Sequence, residues 1–129
     1  MHPSYFSVSD GIDEMPIAAL ELSAGLSEWL FHVHVWDGVS AGTDIGLTQF
    51  EDAHLSGAML RKTFDALVGV SGTLLKSASI NVEFRYGWDA NKDELRCRLD
   101  VPTALKELQE LLAMFKSAAD RNQYVYCQL

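Results

Sequence analysis

The first sixty residues contain no lysine and no arginine. A stretch without cations cannot track a phosphate backbone or an anionic lipid surface, so nucleic acid and membranes are poor partners for it. No run of about 18 apolar residues occurs, which excludes a sequence-evident membrane-spanning helix. The start, Met1-His-Pro-Ser-Tyr-Phe6, has neither a basic segment nor a long apolar core, so a secretory signal is not expected and a cytoplasmic setting is. Cysteine is scarce too. Cys97 and Cys127 have no C-x-x-C spacing, and both fall in strand-like segments, where free buried thiols are the expected state in a reducing compartment.

What remains is a chain of 129 residues, 48% hydrophobic, with a formal net charge of −8. That composition fits one globular domain over residues 1–129, with residues 1–27 as an N-terminal extension packed on it. The charge is unevenly placed. Asp10, Asp13, Glu14, Glu21, Glu28, Asp37, Asp44, Glu51 and Asp52 all precede residue 60, whereas the remaining nine acids face all ten basic residues. The negative field therefore originates in the first half and draws basic partners.

Glu28–Trp36 is the densest run of aromatic and β-branched residues. Such residues suit a pleated surface, and both faces of the run are apolar, which predicts a central strand. Before it, Tyr5–Val8 reads as a short strand, and Asp13 to Ala24 as a helix with Pro16 in its first turn, although Ala19–Leu26 also alternates as a strand. After a glycine-containing loop, Thr48-x-x-Glu51 has the form of a capping box. Phe50, Ala53, Gly57, Leu60, Phe64 and Leu67 would be the buried stripe of the helix it opens, and Gly69 its stop. Gly57 in mid-helix would call for close packing on a neighbour.

The second half is more regular. Ile80, Val82, Phe84 and Tyr86 alternate with Asn81, Glu83 and Arg85, and a turn at 87–93 leads to a return strand, Glu94–Asp100. Its outward Arg96 and Arg98 would meet Glu83 and Arg85 in a cross-strand charge ladder. Pro102 opens a helix with stripe Leu105, Leu108, Leu112, Phe115 and Ala119, and Tyr124–Gln128 is a last strand. From residue 28 the order strand, helix, strand, strand, helix, strand predicts an α+β fold. Its antiparallel sheet would carry helices on one face, in the split β-α-β pattern of ferredoxin-like folds. In that order Cys97 and Cys127 would be about two strand spacings apart, too far to bond. The alternative is a mostly antiparallel sheet to which residues 1–27 add strands.

Chemical motifs are few. His32-Val-His34 on a strand would put two imidazoles on one face, as a metal ion requires, with Asp37 or His54 as third ligands; histidines hydrogen-bonded beneath a helix are the plainer reading. The glycines of Asp37–Gly46 fit neither phosphate-loop pattern. The return strand lacks the aromatic platform of RNA-recognition modules. No nucleophile elbow, HExxH or EF-hand loop occurs, so no catalytic role and no cofactor is expected.

In size, acidity and absence of catalytic motif, the chain resembles the small bacterial immunity proteins that neutralise nuclease toxins. The likeness is one of general character across the whole chain. It implies an inhibitor that covers a basic site on a partner protein, a nuclease toxin domain, with carboxylates in place of phosphates. The contacting acids are expected among Asp37, Asp44, Glu51, Asp52, Asp13 and Glu14, with the loop residues Asp37 and Asp44 foremost. Two other readings remain: a small metal-dependent or histidine-using enzyme built on His32 and His34, and a self-associating subunit, a homodimer formed through the sheet or residues 1–27.

Overall fold

The computed structural model describes residues 1–77 and 79–129. Its elements in order are β1 (Ser4–Ser9), β2 (Ala18–Leu22), α1 (Ala24–His32), α2 (Val35–Ser40), β3 (Asp52–Leu55), α3 (Gly57–Leu75), β4 (Asn81–Trp88), β5 (Glu94–Asp100), α4 (Val101–Asp120) and β6 (Tyr124–Gln128). The class is α+β with antiparallel pairing throughout. The connectivity differs from the ferredoxin-like expectation: β2, β1, β6 and β3 form one sheet in that order, and β4 pairs with β5 alone. Residues 1–27 supply two strands of the larger sheet, as the alternative reading had it.

The expected central strand at Glu28–Trp36 is instead two short helices. Its buried residues explain why. Leu26, Trp29 and Leu30, then Val35, Trp36 and Val39, are all buried, with half-buried Val33 between them. That spacing of three to four lines one side of a helix, whereas a strand would bury every second residue. Preference for strand in aromatic and β-branched residues is weak and yields to such packing. Ser23 caps α1, its hydroxyl accepting from the Leu26 N–H at 3.4 Å. The chain breaks at His34, whose left-handed φ of 62° separates the helices.

Asp13–Ala24 also departs from the helical expectation. A turn closes at Glu14 N–H to Gly11 C=O, 3.1 Å, and β2 then alternates buried Leu22 and half-buried Leu20 against exposed Ala19 and Glu21. Likewise Thr48–Glu51 closes a turn and does not open a helix. Leu129 bonds Glu51 and Phe50, and Asp52–Leu55 pairs with β6. The helix starts at Gly57 and runs through Gly69 to Leu75. A Cβ on Gly57 would meet nothing within 4 Å, so close packing is not its role; its φ of +54° is.

The second half matches its sequence signals in element order, with two differences: Ile80, expected inward, is exposed ahead of β4, and the buried stripe of α4 is turned by one residue, which leaves Leu105, Leu112 and Ala119 half-buried. Asp89 accepts from the Asn91 and Asp93 N–H groups at 2.8 and 2.9 Å and forms the hairpin turn. Asp100 caps α4 by accepting from Thr103 N–H at 3.0 Å, with Pro102 in the first turn. Along α4, Ala104, Leu108, Leu111, Phe115 and Ala118 are buried, at helical spacing.

The core gathers on one side of the larger sheet. Phe6 of β1 lies 6.1 Å from Trp36 of α2 and 5.8 Å from Phe115 of α4, ring centre to ring centre. Both helices therefore cover the same face. Cys97 and Cys127 are free and buried, but the strand order expected to separate them is not the reason: they belong to different sheets. Burial raises both thiol pKa values, Glu28 adding to the shift at Cys97, which keeps them protonated and unreactive. No helix among the described residues is long and apolar enough to cross a membrane.

Candidate functional site

Alternation along β1 and β6 sends Phe6, Val8, Val125 and Cys127 into the core, which obliges Tyr5, Ser7, Tyr124 and Tyr126 to face outward. Register completes that outer face. One row across the strands reads Glu21, Tyr5, Gln128, Asp52, and the next Ala19, Ser7, Tyr126, His54. Tyr5, Glu21, Gln128 and Asp52 are exposed. The face holds three tyrosines and two carboxylates, and its strands contain no lysine or arginine.

Small residues, Ala19 and Ser7, fill the β2–β1 half of the second row and shape the surface. On either side of Ser7 lies a hollow. One, of about 390 Å³, is bordered by Tyr5, Ala19, Glu21 and Gln128. The other, of about 270 Å³, runs between the β1–β2 turn (Ile12, Glu14, Pro16) and the pair His54 and Tyr126. Those two rings lie 4.8 Å apart, inclined by 32°. The Tyr126 hydroxyl donates to the Asp52 carboxylate, and this bond, with a smaller contribution from burial, raises the tyrosine pKa. Tyr126 is thus held in place and kept protonated. Beside the hollow the turn exposes Ile12, Met15 and Ile17, an apolar edge on an acidic surface.

Comparison with family models, curated proteins and solved structures found no match. The chemistry of the face is therefore read from its own residues.

The structure brings some of the expected acids to this face and leaves others apart. Asp52 lies on it, bonded to Tyr126, and Glu14 borders the second hollow with exposed Asp13 beside it in the turn. Glu51 is exposed just before β3. Asp37 is carried by α2, on the covered side of the sheet, where it bonds His34 Nδ1 at 2.8 Å. That bond, foremost, lowers its pKa. Asp44 is exposed in the α2–β3 loop and borders neither hollow.

Helix formation at 24–40 removes the geometry that would have paired His32 with His34. His32 ends α1 with its ring 5.0 Å from Phe84, and His34 is an exposed left-handed residue. Among the described residues no group of three His, Cys, Asp or Glu side chains is placed to hold a metal ion. The tyrosines of the face escaped sequence reasoning. Their signal was the alternation Tyr124-Val125-Tyr126 in a strand free of cations.

Proposed function

We propose that the chain is a protein-binding inhibitor whose outer sheet face covers a basic site on a partner protein, most specifically the phosphate-binding site of a nuclease toxin. The observation that carries this reading is a face bearing Tyr5, Tyr124, Tyr126, Glu21 and Asp52 with no cation of its own. Among the described residues no lysine or arginine pairs with Glu14, Glu21 or Asp52. Carboxylates left without counter-charge steer a basic surface in, and tyrosine supplies contact area at small entropic cost. A nuclease offers such a surface because it must hold phosphates.

The test is capture at low salt on immobilised protein, elution by salt, and assay of the eluted protein for nuclease activity with and without added chain. The proposal expects an activity that added chain suppresses. It also expects capture to fail with Glu21→Lys/Asp52→Lys yet persist with Asp65→Lys/Glu110→Lys, exposed sites on α3 and α4. Equal capture by both double variants would contradict the proposal.

A further inference from the structure

The hollow between the β1–β2 turn and the Tyr126–His54 pair has a chemical bias that the rest of the face lacks. Its Tyr126 hydroxyl already donates its hydrogen bond to Asp52, and its Ser9 hydroxyl donates to the Gly11 carbonyl at 2.8 Å. Both oxygens are left with lone pairs toward other donors. Glu14 adds a carboxylate, which can only accept when ionised. One wall is aromatic and the other, Ile12 and Pro16, is apolar. The turn that carries this wall is tied down by Glu14 N–H to Gly11 C=O and by Ile17 N–H to Val8 C=O at 2.7 Å. At about 270 Å³ the space is below the 300–1,000 Å³ range of small-molecule sites, and it suits one side chain.

A planar cation with many donors satisfies every one of these features. Guanidinium offers five N–H groups, stacks on aromatic rings, and gives up its hydration more readily than an ammonium ion. We infer that this hollow seats a single arginine side chain of the partner protein, stacked on Tyr126 and bonded to Glu14. This rests on reading the sheet face as the protein-binding surface, and gives that surface a specific anchor. An arginine in an aromatic pocket is the kind of contact on which binding energy concentrates.

The test uses the full chain and the probe N-acetyl-arginine methylamide, followed by NMR, with N-acetyl-lysine methylamide as the matched cation. The inference expects saturable shifts in the millimolar range at Tyr126, His54 and Ile12, and weaker binding of the lysine probe. Because removing the Tyr126 ring also removes sheet contacts, the deciding variant is Glu14→Gln in the exposed turn. It should weaken the arginine probe about fivefold, the loss of one charge-assisted contact, about 1 kcal/mol. No saturable shift, shifts scattered over the surface, equal binding of lysine, or an unchanged Glu14→Gln variant would each overturn the inference. If the probe fails while Glu21→Lys/Asp52→Lys still abolishes partner capture, only the arginine seat is lost. If capture ignores the face variants, the functional reading itself falls.

Discussion

The four-stranded sheet and the β4–β5 hairpin each bury one face and leave the other to solvent, yet they treat charge in opposite ways. On the hairpin's open face Arg96 donates to Glu94 at 2.9 Å, Arg85 lies 3.6 Å from the same carboxylate and 4.5 Å above the Trp88 ring, and Glu83 stands opposite Arg98. Most of the charge there meets its opposite within two strands. On the larger sheet Asp52 is answered only by a tyrosine hydroxyl, and neither Glu14 nor Glu21 meets a cation among the described residues. A charged surface that neutralises itself needs no partner. One whose carboxylates come from a stretch with no lysine or arginine retains its field for another molecule.

The largest effect should come from the two sides of a single strand. Phe6→Ala removes a fully buried ring from between Trp36 and Phe115 and should cost about 3–5 kcal/mol in urea unfolding. Tyr5→Ala, one residue earlier on the open face, should cost less than about 1 kcal/mol. Comparable losses would mean that the outer face is covered.

A smaller effect concerns one strained residue in each region. Lys92 at the hairpin turn and Phe50 beside β3 have left-handed φ values of 64° and 67°. Lys92→Gly should stabilise by up to about 1 kcal/mol, the cost of that conformation for a residue with a Cβ. Phe50→Gly should gain less in thermal unfolding, because it also loses the His2 ring 4.3 Å away.

The smallest is a titration. The raised pKa of Tyr126 means that folding favours its protonated form. The associated stability is present below the ordinary tyrosine value of about 10 and is lost as pH rises through the higher folded value. Ultraviolet absorbance should show one tyrosine ionising late, and Asp52→Asn should shift it back toward ordinary behaviour.

Legibility in the sequence followed how local each signal was. β1, the hairpin, α4 and β6 could be read because Phe6/Val8, Val82/Phe84, Leu108/Phe115 and Val125/Cys127 repeat at the period of their own element. The Trp29–Trp36 stretch misled because residues favoured in strands occupy helical spacing, and which spacing is buried depends on Phe6 and other distant residues. Thr48 and Glu51 are a sound local cap, overridden by pairing of the following residues with β6. The acidic imbalance was visible in composition. The face was not, because Tyr5, Glu21, Asp52 and Tyr126 meet only through strand order.

The contrast between the two open faces is tested most directly by the rate at which the captured partner associates with paired charge reversals, measured across a range of salt. Glu21→Lys/Asp52→Lys should slow association at least about tenfold, about 1.4 kcal/mol in the encounter barrier, and flatten its salt dependence. Arg96→Glu/Arg98→Glu on the hairpin should leave the rate unchanged or raise it. Equal slowing by the two variants, or greater slowing by the hairpin variant, would contradict the account.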